Sequence, residues 1–238
     1  MLTQIKRHLN KLPFLNSIIK KIHFVLFYKR NFQSSQYWKL RYQKWWNSGF
    51  WSYGQLAQFK AKIINGFIIN NNIRSVIEFG CGDGNNLKYF QIPKYIGLDI
   101  SENAISLCRN LFVHDITKSF FLYNPNAFFD RHSIFRAQCS ISLDVIYHLV
   151  EDEVFEKYMF DLFSASYEFV IIYSSNDESM NFGPAQHIKH RNFTGWILKN
   201  MPQWLLQEEI KNTYPLRYNQ SEESFSDFYV FKFFPDKN

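Results

Sequence analysis

Gly80, Gly82 and Gly84, spaced two apart, follow directly on the apolar segment Val76-Ile77-Glu78-Phe79, and Tyr95-Ile96-Gly97-Leu98-Asp99 comes soon after. The short run with β-branched residues, Ser75 to Phe79, reads as a buried strand, and glycines at alternate positions let the next backbone turn sharply against a ligand. The whole predicts a nucleotide-binding strand-turn-helix unit with Asp99 closing a second strand. An acid there accepts hydrogen bonds from both hydroxyls of a ribose, as an acid about 20 residues beyond the glycine turn does in dinucleotide sites. Glu78, two residues before the first glycine, adds a second signal, because an apolar strand does not present a carboxylate there unless that group has work at the strand tip.

The later segments alternate helix and strand, as a doubly wound sheet requires. Ser101 is placed to cap a helix whose apolar side is Ala104, Ile105, Leu107, Cys108 and Leu111. Leu111 to Ile116 predicts a third strand ending in the acid Asp115, and Ala137 to Leu143 a fourth, followed by Asp144-Val145-Ile146-Tyr147-His148. A helix around Val154, Phe155, Tyr158 and Leu162 leads to a fifth strand, Phe169 to Asn176. Trp204 to Ile210 and Ser224 to Lys232 supply two more strands for a closing hairpin. Open α/β sheets bind ligands beyond the carboxyl ends of their strands, so Asp144 and His148 are expected to face the cleft. Ahead of the first strand, Leu56, Phe59, Ile63 and Phe67 form the core stripe of one helix, and Trp38, Tyr42, Trp45 and Trp46 share a face of another.

At 238 residues the chain holds one α/β domain with an appendage. Charge marks the appendage. Residues 1–77 carry thirteen Lys or Arg and no Asp or Glu, whereas residues 78–238 carry fourteen bases against twenty-one acids. Residues 1–35 are expected to be a basic amphipathic helical extension, with Ile18, Ile22, Val25 and Leu26 at helical spacing and Pro13 at the first turn, ahead of a catalytic domain over 36–238. Its apolar run, Ile22 to Tyr28, is far shorter than the ~20 residues a spanning helix needs, and no small-residue cleavage site marks it as a signal peptide. Peripheral contact with an anionic membrane surface remains open to it, at ~1 kcal/mol per basic residue, against a solvated helix packing on the domain. Cys81, Cys108 and Cys139 form no Cys-x-x-Cys pair, which argues for a reducing compartment and against a structural zinc site.

Glu78, Gly80, Gly82, Gly84 and Asp99 resemble, position by position, the first two motifs of class I S-adenosylmethionine-dependent methyltransferases. The resemblance implies a mostly parallel, seven-stranded Rossmann-like sheet with a C-terminal antiparallel hairpin, and S-adenosylmethionine as cofactor. It further implies a cofactor site built from Glu78, Gly80, Gly82, Gly84, Asp99, Ile100, Asp115, Ile116 and Asp144, with Asp115 near the adenine amino group and Ile116 beside the base. The segments Tyr37-Trp38-Lys39-Leu40-Arg41-Tyr42, Ser52-Tyr53-Gly54-Gln55-Leu56-Ala57-Gln58-Phe59-Lys60 and Ser142-Leu143-Asp144-Val145-Ile146-Tyr147-His148-Leu149 are similar to a bacterial subfamily associated with surface-polysaccharide biosynthesis. That group has glycines where this chain has Trp45, Trp46, Phe50 and Trp51, so the loop is expected to cover the cofactor and narrow the acceptor pocket.

These readings together predict methyl transfer to a small or glycan-linked acceptor, as O-methylation of a sugar or its precursor, in the cytoplasm. Alternatives are a lipid-borne acceptor or a module that binds nucleotide without catalysis. Asp144 is the residue expected to orient the cofactor's methionine part or the acceptor, and His148 is either the general base or a histidine that holds its turn. His190, in His187-Ile188-Lys189-His190-Arg191, is a second candidate base beside cations suited to an anionic acceptor. The chemistry requires no metal, and His-x-x-His alone is a poor metal site. Nucleic acid is not expected as substrate, given the acidic catalytic part.

Overall fold

Four consecutive buried residues make β1 (Val76–Phe79) a central strand. Val76 packs into one core layer, while Ile77 and Phe79 belong to the opposite one. A strand covered on both faces reads as a continuous apolar run, which is how a parallel sheet announces itself. The computed structural model describes residues 32–45, 47–180, 185–217 and 222–235. Of the expected basic extension of residues 1–35, residues 1–31 lie outside the described residues, as do Trp46 and the side chains of Trp45 and Phe50, while Ser34 and Ser35 begin the next helix.

β1 pairs in parallel with β2 (Tyr95–Asp99) and β4 (Ala137–Leu143), β2 pairs with β3 (Lys118–Leu122), and β4 with β5 (Ser166–Ser174). β7 (Asp227–Phe233) enters antiparallel beside β5 and forms a hairpin with β6 (Trp204–Ile210). The sheet order is β3-β2-β1-β4-β5-β7-β6, the mostly parallel seven-stranded sheet with a closing hairpin that the sequence predicts. Chain direction across the sheet reverses between β1 and β4, and a crevice opens at their carboxyl ends.

Helices cover both faces. α1 (Ser34–Trp45) and α2 (Gly54–Asn70) precede β1, α3 (Glu102–Leu111) follows β2, α4 (Asp152–Ser164) precedes β5, and α5 (Phe193–Asn200) precedes β6. Phe59, Ile64 and Ile68 of α2 pack with Ile105 and Cys108 of α3 on one face. Phe155, Tyr158 and Leu162 of α4 pack with Phe193 and Ile197 of α5 on the other. Ser101 caps α3 as expected, its side chain accepting from the Ala104 N–H at 3.4 Å. Among the described residues no helix is long and apolar enough to cross a membrane.

Three local expectations fail. The third strand is Lys118–Leu122, not Leu111–Ile116, because α3 continues through Leu111 and a turn occupies the residues after it. Phe112 stacks on Phe120 at 5.7 Å and so closes the helix against the sheet instead of pairing within it. The helix expected after the glycine turn is a single 3₁₀ turn, Asn86–Tyr89, since the chain must reach β2 within a few residues. Between β3 and β4, residues 123–136 run through turns without a helix.

Candidate cofactor and acceptor cleft

Beyond the carboxyl ends of β1, β2 and β4 lies a cleft whose floor includes Gly80, Gly82, Asp83, Asp99 and Ile100, and whose far side carries Asp144, Tyr147 and His148. Trp38, Tyr42, Ser48 and Trp51 close it from the N-terminal side. Gly80 and Gly82 both adopt positive φ, +81° and +59°. A Cβ on Gly80 would stand 2.4 Å from a methyl of Val145, and one on Gly82 the same distance from Ser48 Oγ. Only glycine permits this turn together with its cover.

Asp99 is buried at the end of β2. Its carboxylate accepts from the Gly82 N–H at 3.0 Å and the Ser101 N–H at 2.8 Å. Burial raises Asp99 to about 6, against the lowering effect of these N–H groups. Asp83, which the sequence reading overlooked inside the glycine turn, ties the cover down. It accepts from the Ser48 N–H and Oγ at 3.0 and 2.8 Å and from the Tyr53 hydroxyl at 2.6 Å. Tyr42 shares a hydrogen bond with the same Ser48 hydroxyl at 2.9 Å.

On the far side, Asp144 has φ +60° and is held by three groups. The fully buried Lys60 ammonium lies 2.7 Å from it, and the hydroxyls of Tyr147 and Ser226 donate at 3.0 and 3.1 Å. Lys60 also donates to the Trp51 carbonyl at 2.8 Å, joining α2, the cover and the strand end. Its signal in the sequence was a lysine in the buried phase of α2, four residues after Leu56 and four before Ile64. His148 Nδ1 lies 2.8 Å from the His187 carbonyl, which only accepts, so Nδ1 carries the proton and Nε2 the lone pair. Burial pushes His148 down to about 3, with the cations of its surroundings adding to the effect, and the ring is neutral at physiological pH. Tyr147, Trp38 and His187 surround it with ring centroids 4.4, 4.6 and 5.4 Å away.

The cleft thus gathers Gly80, Gly82, Asp99, Ile100, Asp144 and His148 from the residues expected. Others lie elsewhere. Glu78 stands behind the floor, buried, accepting from the Tyr95 hydroxyl at 2.6 Å; its burial raises it to about 7. Gly84, with φ +76°, packs against Cys108 and Phe112 of the α3 region. Asp115 and Ile116 do not reach the cleft. They precede β3, at the opposite end of the sheet, where Asp115 bonds Thr117 and Lys118 and Ile116 is 98% exposed. That correction follows from the misplaced third strand, and the residues at the true carboxyl end of β3 that line the cleft are Tyr123 and Pro125. His190 is also absent from the lining: its Nδ1 shares a hydrogen bond with Ser175 Oγ at 2.6 Å. Lys189 and Arg191 are spent on Asp152 at 2.5 and 2.8 Å, and Arg191 further on the carbonyls of Leu149 and Val150. Among the described residues no three His, Cys, Asp or Glu gather in a metal-holding arrangement.

The sequence matches no protein-family model and no curated protein. Solved structures do match. The methyltransferase domain of bacterial CtHen1-C superposes with a TM-score of 0.57 at 18% identity, covering 74% of this chain and 97% of that one. Magnesium protoporphyrin IX methyltransferase (ChlM) from Synechocystis PCC 6803, with bound SAH, gives 0.60 at 12% identity, over 84% and 99%. N-methyltransferase NodS from Bradyrhizobium japonicum WM9 gives 0.60 at 11%, over 76% and 98%. The chain has the class I methyltransferase fold. Within that methyltransferase fold the described cleft occupies the switch point between β1 and β4.

Proposed function

We propose that the cleft binds S-adenosylmethionine and that the chain transfers its methyl group to a small or glycan-linked acceptor, as O-methylation of a sugar or its precursor, in the cytoplasm. The observation that carries this reading is the charge of the lining: Asp83, Asp99 and Asp144 are its carboxylic acids, Lys60 compensates Asp144 alone from behind, and among the described residues no Lys or Arg lines the cleft. A cofactor bearing a sulfonium and an ammonium complements acids, whereas the pyrophosphate of a dinucleotide, which would lie against the glycine turn, would be repelled there by Asp83 and Asp99. The residues fit the group. Asp99 retains lone pairs beyond its two N–H contacts for ribose hydroxyls, and Ile100, Tyr123 and Pro125 offer an apolar ledge for a base.

When bound, the cofactor supplies a methyl group already activated by positive sulfur. The chain's own contribution is to hold the acceptor in line and to receive its proton. Positioning is worth ~7–11 kcal/mol, against about 10²–10⁴-fold for a general base. Nε2 of His148 holds a free lone pair beside the cleft, but its low basicity places the expected gain at the lower end of that range. The sugar reading is supported by the segments around Trp38, Tyr53 and Asp144 that resemble the polysaccharide-associated subfamily. The acid excess of residues 78–238 argues against a nucleic-acid acceptor.

Calorimetry with S-adenosylhomocysteine beside NAD tests the cofactor reading. We expect the first to bind and the second not, with Asp99→Asn weakening the first tenfold or more; failure of both to bind overturns it in favour of an inactive module. A lipid-borne acceptor is the second reading, favoured by seven Lys or Arg and no acid in residues 1–31. Sedimentation with anionic liposomes, full chain against a chain starting at Gln36, tests that contact, and equal partitioning of the two refutes it.

A further inference from the structure

Arg41 lies on α1 behind the cleft-lining Trp38, and among the described residues its guanidinium makes no hydrogen bond. Its Nε is buried and has no hydrogen-bond partner. A guanidinium offers five N–H donors, and a buried donor left unmade is costly enough to require an explanation. The group is nonetheless held in place. Its carbon sits 5.4 Å from the centroid of the Trp38 ring, and Nη2 packs so closely on Gly49 that a Cβ there would stand 2.8 Å away. Gly49 itself has φ +94°, so both the conformation and the space call for glycine. The seat therefore fixes the cation by stacking and packing while leaving its hydrogen bonds unmade.

The surroundings locate this seat at the cleft's acceptor side. Trp38, over which Arg41 lies, is a lining residue and meets His148 edge-on at 4.6 Å. His187 stacks on His148 and, on α1, Tyr37 stacks on His187 at 4.8 Å. The positive charge of Arg41 helps hold both imidazoles neutral. The more obvious cations, Lys189 and Arg191, are unsuited to a ligand because Asp152 already pairs with both.

We propose that Arg41 is an oxyanion-binding residue for the acceptor, so that the acceptor class is an anionic one bearing a phosphate or carboxylate. This rests on the methyl-transfer reading of the same cleft. Planar, bidentate recognition of phosphate or carboxylate is what a pre-positioned guanidinium does best, and Lys does not reproduce it.

The test is titration of inorganic pyrophosphate and, separately, of glucuronate into the full-length protein saturated with S-adenosylhomocysteine, followed by calorimetry. Arg41→Gln and Arg41→Lys are compared with the wild type, and circular dichroism verifies their fold. Basic residues 1–31 are common to all three proteins, so the difference reads Arg41 alone. We expect at least one of the two anions to bind the wild type, its affinity to fall tenfold or more in Arg41→Gln and to be partly kept in Arg41→Lys, and S-adenosylhomocysteine affinity to be unchanged. Preference for pyrophosphate assigns a phosphorylated acceptor, and preference for glucuronate a carboxylated one. Wild-type binding of neither anion, or equal binding by Arg41→Gln, overturns the proposal. Loss of S-adenosylhomocysteine binding by the wild type is a separate result and refutes the cofactor reading instead; the anion titrations are then run without it and judged by the same criteria.

Discussion

Replacing Lys60 by Met isolates the buried ion pair that holds the far side of the cleft. Met keeps the apolar stem and removes the ammonium, which lies 2.7 Å from Asp144 and 2.8 Å from the Trp51 carbonyl. Two charge-assisted hydrogen bonds are lost, each worth about 1.5–3 kcal/mol. Asp144 keeps the Tyr147 and Ser226 hydroxyls but stays buried without its counter-charge, and breaking one side of a buried pair typically costs about 3–5 kcal/mol. Against a total stability of about 5–15 kcal/mol this is a large share. With a urea slope of about 2–3 kcal/mol per molar, the unfolding midpoint falls by about 1–2.5 M, read by tryptophan fluorescence and circular dichroism at pH 7. Asp144→Asn, which tolerates the positive φ of that position, strands the lysine instead. The double variant is expected to be less destabilised than the two singles added, by at least about 1 kcal/mol. A Lys60→Met protein within about 0.5 kcal/mol of the wild type, or singles that simply add, would show that the pair does not hold this wall.

Three further outcomes follow from the geometry. The folded chain binds a proton on Glu78 up to about 7, against an ordinary value of 4.5, so this group's contribution is fully present below about 4.5 and is lost as pH rises to about 7, by up to about 3 kcal/mol. Glu78→Gln removes that slope, and the pH dependence of its urea midpoint should be flatter than the wild type's between those limits; identical profiles refute the assignment. Gly82→Ala meets Ser48 Oγ and adds strain at φ +59°; we expect a loss of about 1–3 kcal/mol in stability and weaker S-adenosylhomocysteine binding, and an unchanged affinity would separate the cover from the ligand site. His148→Gln keeps a polar side chain but no imidazole base, and we expect kcat for methyl transfer to drop roughly 10²-fold with S-adenosylhomocysteine affinity unchanged; full activity removes His148 from proton transfer.

What the sequence made legible was local and periodic. Glycines at alternate positions behind an apolar run placed β1 and its turn, and Asp99 closes β2 and lines the cleft, as its position implies. The bounds of β4, Ala137–Leu143, and of β6, Trp204–Ile210, coincide with the expected ones. The third strand failed because Leu111-Phe112-Val113 is apolar enough for a strand yet is spent ending α3, while the real strand is an edge strand in which Phe120 alone is buried. Asp115 and Ile116 were misplaced with it. Long-range pairing was the other illegible quantity. Nothing near Lys189 and Arg191 in the chain says that Asp152 neutralises both, and nothing near Arg41 says that its Nε is buried without a partner.

The carboxylate of Asp83 fastens the backbone and hydroxyl of Ser48 and the hydroxyl of Tyr53 at a single point. Lys60 on the Trp51 carbonyl and Asn85 on the Ser52 carbonyl hold the same wall from beneath, so it detaches only when all three fastenings release. Residues 47–53 and the glycine turn should therefore open together, and their amides should exchange with solvent at a common rate. The lifetime of any molecule beneath them is then governed by how often these fastenings let go together, and tighter contacts inside the cleft lengthen it only by making that joint release less frequent.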